Sequence, residues 1–429
     1  MGVKMKKKHL LSTNLLWFMG TMILANIAAQ MIMPLEALYV QELGASVAQV
    51  GMFFTIASIA PLFLQIFGGW LSDSIGRLQA VAIGSVAGAS AYLFYLFAPS
   101  WIWLLPSSIL TAMAVAFVAP SFQAFIAEES TEETRGRVYG ITSTLFMVVN
   151  IIGPTLGSLI VQGMNFKTMY LVAGGFYVVA AVIRVWMARR VKRAQQSVDA
   201  AAPKMTFADF KKSMALVFGL LVGGGIITWI FISDGIRDIS FSLTGRLTPL
   251  YMENIIGLKV FQIGLLQSVT AVVAMMFVGL AGWLADKKGE RTSLVGGFGL
   301  IALGWFVFVN GSQFVHFALA HAIIGVGWAL IDPAYNSLIS KVVPQKIRGT
   351  AFGLFSTSLG LISLPAPWVG AWLWENVNPR FPFYVPLIGM LATLPIMWIK
   401  FKLPSQPESA PAATSPVLAE VPVAADGAN

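Results

Sequence analysis

The chain has 429 residues, of which 57% are hydrophobic and 11% charged, and its mean hydropathy is +0.76. Soluble domains contain about 45–50% apolar and about 25% charged residues, so the composition excludes an ordinary soluble domain and predicts a membrane protein. The net charge is +9 and cysteine is absent, which excludes a disulfide framework, a cysteine metal site and a thiol nucleophile.

Apolar stretches of about 20 residues or more recur along the chain, each closed by a polar break, as a helix crossing roughly 30 Å of hydrocarbon requires. We number them spans 1 to 12. They are 13–40, 47–71, 78–98, 101–125, 137–162, 167–188, 226–251, 262–284, 292–312, 315–339, 350–374 and 382–401. The sequence therefore predicts an all-α membrane protein with twelve transmembrane helices in two six-helix bundles, over 13–188 and 226–402.

The charged residues between the spans predict the topology. The breaks on one side of the membrane hold 22 Lys and Arg residues, against three on the other side. Basic residues concentrate in cytoplasmic loops, so both termini are expected in the cytoplasm. The tail 1–12 and the central loop with its lead-in, 189–225, fall on that side. The tail 403–429, rich in Pro, Ala and Ser, is expected to be disordered there.

The Lys-rich start before span 1 could be part of a signal peptide, but span 1 has a counterpart in the second half of the chain, so we expect it to be retained. The basic surplus is explained by topology, and nucleic acid is not expected as a partner.

The second half of the chain repeats the first. The segment Gly69–Gly76 reappears at Gly282–Gly289, 213 positions later. Further pairs keep the same offset: Pro120 and Pro333, Arg135 and Arg348, Gly140 and Gly353, Pro154 and Pro367, and Gly157 and Gly370. Duplication within an apolar chain is typical of transporters, in which a site lies between two halves that move against each other.

The loop between spans 2 and 3 reads Gly69-Trp70-Leu71-Ser72-Asp73-Ser74-Ile75-Gly76-Arg77. With the twelve spans and the basic central loop, it resembles the major facilitator superfamily, whose loop motif is G-x-L-x-D-x-x-G-R. The resemblance implies a conformational gate, in which the aspartate meets the start of span 11 across the two halves and holds the outward-facing state. A carboxylate at a helix start is stabilised by free N–H groups and the helix dipole.

The gate residues implied by this resemblance are Gly69, Asp73, Gly76 and Arg77, with Asp286 and Gly289 in the second copy. By symmetry, Asp286 is expected near the start of span 5, around Arg135 to Arg137. The alternative is that both loops are only tight turns that need glycine.

Span 5 carries a weaker resemblance, to the drug/proton antiporter branch of that family. Gly140, Gly153, Pro154 and Gly157 match its pattern G-x8-G-x3-G-P-x2-G-G, whereas Val149 breaks it. The resemblance implies antiport. Ordinary close helix packing at small residues explains the same positions equally well.

Charge within a membrane span is costly and marks functional sites. Span 7 contains Asp234, Arg237 and Asp238. Asp332 of span 10 and Asp234 each lie about seven or eight residues from the cytoplasmic side, roughly 10–12 Å into the membrane. We predict a network of these four residues that carries protons, because a surplus buried carboxylate binds a proton more readily. A purely structural ion-pair cluster is the alternative.

Span 1 aligns with span 7 at an offset of 212, anchored by Trp17 and Trp229. Asn26 then matches Asp238, and Gln30 lies on the same face one turn later. In the resembled family, spans 1, 4, 7 and 10 line the central cavity, so we place Asn26 and Gln30 there as well.

The sequence thus predicts a secondary transporter in a cytoplasmic membrane. The activity that it favours is the proton-coupled efflux of a drug-like compound or metabolite. Proton-coupled uptake of an organic anion, which Arg237 could bind, and a transport-inactive sensor are the alternatives. No nucleotide-binding loop, G-x-S-x-G or metal-spaced histidine pair is present in the sequence, so an enzyme is not expected. We expect no cofactor or metal, and a monomer whose partners are protons, the small-molecule substrate and the lipid bilayer.

Overall fold

The computed structural model describes residues 12–64, 75–194, 225–342 and 359–401, and every regular element in these ranges is helical. Within them, ten helices are long and apolar enough to cross a membrane. They are Thr13–Ile32, Val47–Leu64, Arg77–Phe97, Trp101–Glu129, Glu132–Gly163, Phe166–Arg190, Val260–Lys288, Glu290–Asn310, Phe314–Val342 and Phe381–Lys400. These correspond to predicted spans 1 to 6, 8 to 10 and 12.

The predicted spans 1 and 7 are not continuous helices. Span 1 consists of Thr13–Ile32 and Glu36–Glu42, separated around Pro34, whose ring cannot continue the helical hydrogen bonds. Span 7 consists of Ile226–Thr244 and Leu247–Asn254, separated at Gly245 and Arg246. The break and the charged residues of span 7 explain why it is not among the ten apolar helices.

Span 11 is described only over its second part, with the helix Ala366–Asn376. The loop residues Gly69 and Asp73, and the start of span 11, lie outside the described residues. We call the end of the molecule near Arg77 and Lys287 the basic end, and the end near Glu36 and Arg246 the opposite end.

The repeat is preserved in the packing of helices at glycines. A Cβ on Gly157 of span 5 would overlap the Met31 carbonyl of span 1, and a Cβ on Gly370 of span 11 would overlap the Leu243 carbonyl of span 7. Gly157 and Gly370 differ by 213 positions, and Met31 and Leu243 by 212. The structure therefore confirms both offsets that the sequence predicts.

The aromatic cores of the halves also correspond. Near the opposite end, the Tyr170 ring lies 4.7 Å from Tyr39 and 4.5 Å from Tyr95, between centroids. In the second half, Phe383 lies 4.9 Å from Tyr251 and 5.1 Å from Phe308. These rings occupy equivalent positions, so each half has its own aromatic core that holds spans 1, 3 and 6, or 7, 9 and 12, together.

Gly157→Ala tests this packing. Alanine ordinarily favours a helix over glycine, but here its Cβ has no room against the Met31 backbone. We expect a loss of about 1–3 kcal/mol in stability, measured as a lower Tm of the purified protein. The control is Gly20→Ala in span 1, where nothing lies within 4 Å of the added Cβ, and which is expected to leave Tm unchanged or higher. Equal Tm values for both variants would contradict the packing described.

Candidate transport site and gates

The charged residues of span 7 form an ion pair with partners from span 10 around it. The Arg237 guanidinium contacts the Asp234 carboxylate one turn away on the same helix. Asp234 is buried and Arg237 half-buried. Two span 10 rings flank the guanidinium, with Tyr335 5.3 Å and Trp328 6.0 Å from its carbon. Rings at this distance attract a cation through their negative faces.

The other two aspartates lie near this pair without contacting it. Asp332 is exposed and interacts with Arg237 through longer-range electrostatics. Asn336, one turn further along span 10, donates its side-chain N–H to the Asp332 carbonyl at 2.9 Å. Asp238 is half-buried and makes no hydrogen bond or ion pair with any described residue. The structure thus joins Asp234 to Arg237 and leaves Asp238 without a partner among the described residues.

The polar face of span 1 is neutral. Asn26 donates to the Met22 carbonyl at 2.7 Å, and Gln30 donates to the Asn150 side-chain oxygen of span 5 at 2.5 Å. Asn150 is not among the site residues predicted from the sequence, although an amide side chain within an apolar span could have identified it. Gly153 packs against Gln30, so this span 5 glycine positions the amide pair.

The two halves meet at the opposite end through two equivalent close approaches. A Cβ on Gly51 of span 2 would lie 2.6 Å from the Pro367 carbonyl oxygen of span 11. A Cβ on Gly264 of span 8 would lie 2.6 Å from the Pro154 carbonyl oxygen of span 5. Both pairs differ by 213 positions. Pro154 of the antiporter-like pattern therefore belongs to a contact between the halves.

Polar contacts join the halves at the same end. Arg246 Nη1 lies 3.2 Å from Glu36 Oε2, and the side chain of Asn254 donates to that of Gln41 at 3.0 Å. Further contacts that cross between the halves are Ala48 N to Glu375 Oε1 at 2.8 Å, Phe261 N to Gln162 Oε1 at 3.0 Å, and Thr155 Oγ1 to Ser268 Oγ at 2.7 Å. These contacts keep the opposite end closed.

Two carboxyl groups from different halves also lie at this end, where the charge of Glu42 acts on Glu253. Burial raises the pKa of Glu42, against an opposing effect of Lys167. Burial, and then the charge of Glu42, raise the pKa of Glu253. A raised pKa means that each of these carboxyl groups takes up its proton at a higher pH than the free side chain does.

At the basic end, the two loop glycines begin spans 3 and 9 with the same unusual backbone. Gly76 has φ 96° and Gly289 has φ 85°, a region that favours glycine. Arg77 Nε lies 3.3 Å from Glu128 Oε1, and at the equivalent positions Lys341 pairs with Glu290, so the charges are exchanged. The 213-residue offset relates Arg77 to Glu290 and Glu128 to Lys341, so this exchange of charges could have been predicted from the sequence.

The predicted contact of Asp286 with the start of span 5 is not formed in this conformation. Asp286 is exposed and makes no hydrogen bond or ion pair to the described residues. Arg135 instead donates to the Ala127 carbonyl of its own half at 3.1 Å. Gly140 has nothing within 4 Å of an added Cβ, and with Arg137 and Thr144 it lines a groove of about 520 Å³. Span 5 is thus closely packed near Pro154 and uncovered near Gly140.

A family model for the Major Facilitator Superfamily matches residues 18–245 and 230–425, which together cover most of the chain. The chain belongs to the major facilitator superfamily. It is therefore a multi-pass membrane transporter, as the sequence predicts, and its fold and helical repeat are those expected of this family.

Relatives and solved structures agree with this assignment. The chain is 23% identical over 361 residues to the multi-drug resistance efflux pump PmrA of Streptococcus pneumoniae, covering 83% of this chain and 87% of the relative. It is 22% identical over 401 residues to multidrug resistance protein 1 of Bacillus subtilis, covering 92% and 97%. A bacterial homologue of the iron transporter ferroportin, solved in an inward-facing state, has the same fold, with a TM-score of 0.71 at 14% identity, covering 89% of this chain and 97% of that one.

The ion pair of span 7 gives a stability test. Asp234→Asn leaves the Arg237 guanidinium without its carboxylate, which typically costs about 3–5 kcal/mol when the partner is buried. We expect a clearly lower Tm for the purified variant and recovery when Arg237→Gln is added.

The control for this test is Asp238→Asn, which changes the same side chain one turn away where no partner is lost. Its Tm is expected near that of the wild type. If Asp238→Asn lowers Tm as much as Asp234→Asn does, then the pairing described is not what stabilises span 7.

Proposed function

We propose that this transporter exports a small organic molecule in exchange for protons by alternating access, with twelve spans and both termini in the cytoplasm. The carrying observation is that Asp238, which has no partner in the part of the chain that the structure describes, lies beside the Asp234–Arg237 ion pair, within a span that closes the opposite end. The efflux activity named for the two relatives supports export as the direction.

The conformation corresponds to the inward-facing state under this proposal. The contacts between the halves gather at the opposite end, which the distribution of Lys and Arg places outside the cell. At the basic end, cations stack on tryptophans: Arg190 on Trp186 at 3.9 Å, and Arg291 on Trp398 at 4.4 Å. Tryptophan beside basic residues is typical of the membrane interface and supports this orientation.

Proton coupling is assigned to Asp238, with Asp332 as its neighbour on span 10. A group that carries a proton through the cycle must be able to lose its charge, and a permanent ion pair opposes that. Asp234 is held by Arg237, whereas Asp238 makes no such pair. Asp238 also matches Asn26 in the repeat, so it occupies the position equivalent to that polar residue of span 1.

The energetics permit export. One proton moving down a total driving force of about 150 mV supplies roughly 3.5 kcal/mol. This supports a substrate gradient of about 300-fold. Uptake of an organic anion is less well supported, because the Arg237 guanidinium that would bind the anion is already paired with Asp234.

Asp238→Asn is expected to abolish proton-driven accumulation of substrate in proteoliposomes while leaving downhill substrate exchange measurable. An amide can still line a cavity, but it cannot load and release a proton. Asp332→Asn, tested beside it, is expected to give a partial loss. Glu133→Gln at the exposed start of span 5 is the control and should keep full coupling. Full proton-driven accumulation by Asp238→Asn would remove this residue from the coupling mechanism.

The gates are tested by the distance between spin labels at Met164→Cys and Val377→Cys, one in each half at the opposite end, in a chain without native cysteine. Asp73→Asn should weaken the contact that holds the outward-facing state, narrow this distance and cut transport severely. Asp286→Asn should act in the same direction, but less.

Gly264→Leu is expected to have the contrary effect. Its side chain would collide with the Pro154 backbone and so increase the distance between the two spin labels. A change in the same direction for Asp73→Asn and Gly264→Leu would contradict the proposed assignment of the two ends.

A further inference from the structure

A small cavity lies at the opposite end where spans 1, 2, 3, 4 and 7 come together. Its volume is about 220 Å³, and its lining includes Glu36, Phe54, Tyr95, Thr111 and Arg246. Pockets for whole drug-sized ligands measure about 300–1,000 Å³, so this cavity matches one group of a ligand and not an entire molecule. Thr111 on span 4 is exposed, so the cavity is open on that side.

The walls of the cavity are arranged around a cation. Glu36 is held in place by the Tyr95 hydroxyl, which donates to Glu36 Oε1 at 3.0 Å. Tyr95 is fixed in turn, because it stacks on Tyr170 with the ring planes 9° apart. The Phe54 face lies beside the carboxylate and is almost fully buried. A fixed carboxylate next to an aromatic face is the combination that recognises organic cations.

In this conformation a side chain of the protein itself occupies that position. The Arg246 guanidinium carbon lies 4.3 Å from the centre of the Phe54 ring, and its Nη1 lies 3.2 Å from Glu36 Oε2. The same nitrogen donates to the Met33 carbonyl at 3.3 Å. Arg246 comes from the second half of the chain, whereas Glu36, Phe54 and Tyr95 all come from the first. One guanidinium therefore lines the cavity, contacts both its carboxylate and its aromatic face, and joins the two halves.

We propose that Glu36, Phe54 and Tyr95 form a subsite for the cationic head group of an organic substrate, and that Arg246 occupies this subsite while the opposite end is closed. The inference rests on the proposed export function and names its substrate class, an amphiphilic organic cation with one compact charged head. The remainder of the molecule lies along span 4.

Competition between the substrate and Arg246 connects binding to the gate. A cationic head at Glu36 removes the carboxylate from Arg246, and the ion pair that crosses the halves is lost. The opposite end then opens with the substrate already bound close to it. After release, Arg246 returns to Glu36 and closes the end again. A neutral compound cannot replace Arg246 at the carboxylate, so it gains no such effect.

Binding of benzyltrimethylammonium, which has one compact cationic head, to the purified protein in nanodiscs, without any proton gradient, tests the subsite. Arg246→Met removes the internal cation. Binding is expected to become about tenfold stronger, because the ligand no longer has to break the contact between Arg246 and Glu36. Arg246→Lys keeps a competing cation and should bind as the wild type does. Adding Glu36→Gln to Arg246→Met should weaken binding at least tenfold relative to Arg246→Met alone.

Arg380→Met is the matched control, because Arg380 lies at the same end but donates to the Tyr251 hydroxyl, away from the cavity. Its benzyltrimethylammonium affinity should equal that of the wild type. The Glu36→Gln, Arg246→Met double variant leaves no unpaired buried charge at this site, so we expect it to fold. Tyr95→Phe is a second variant, which removes only the hydrogen bond that holds Glu36 in place. Tyr95→Phe should weaken binding while keeping the ring that stacks on Tyr170.

The proposed effect of the substrate on the gate is measured as the distance between spin labels at Met164→Cys and Val377→Cys. Benzyltrimethylammonium should widen their distance in the wild type and have no effect in Glu36→Gln. The inference is overturned if Arg246→Met leaves affinity unchanged or lowers it, or if Glu36→Gln binds the cation within twofold of its parent. It is also overturned if benzoate binds instead and is lost in Arg246→Met, which would identify an anion site.

Equilibrium binding needs no proton transfer, so this test is separate from the coupling test. If Asp238→Asn keeps full proton-driven transport while the Glu36 variants lose the cation, the export mechanism fails and the subsite stands. If coupling depends on Asp238 and the Glu36 variants bind the cation normally, the export mechanism stands and the subsite fails.

Discussion

The structure depends on two places where the backbone of one half touches the backbone of the other. At Gly51 against Pro367, and at Gly264 against Pro154, the absence of a side chain lets a helix approach a carbonyl group of its neighbour. Proline interrupts the regular hydrogen bonding of spans 5 and 11 at these points, since it lacks an N–H group. Contacts of this kind are made by packing alone and carry no charge, so they can form and separate during a transport cycle without exposing an unpaired ion.

The charged residues follow a different rule, because they break the symmetry that the glycines keep. Asp234, Arg237 and Asp238 of span 7 correspond to Met22, Ala25 and Asn26 of span 1. The repeat therefore supplies the architecture twice and the ionisable chemistry once. The positions of span 7 that match the neutral side chains Met22, Ala25 and Asn26 of span 1 thus carry charge.

The gate at the opposite end joins these two features. Glu36 and Arg246 lie where spans 1 and 7 are each broken into two helices, and they form an ion pair between positions that the repeat does not equate. Arg246 also lines the cavity at this end, with its guanidinium over the Phe54 ring. The residue that holds the end closed is thus the residue that a cationic substrate must replace, which gives the cargo a direct influence on the gate.

The sequence by itself determined the membrane class, the twelve apolar stretches, the duplication with its offsets of 213 and 212, and the family, because hydrophobic length and the spacing of glycine and proline are local properties of the chain. It also identified Asp234 with Arg237, since residues three apart on a helix lie on one face. Only the tertiary structure decided that Asp238 finds no partner within the described ranges, that Gln30 meets Asn150, and that Arg246 reaches Glu36 across the two halves. Those pairings join residues more than a hundred positions apart, and they depend on how whole helices cross and on which of two conformations the halves adopt, which no local pattern of residues records.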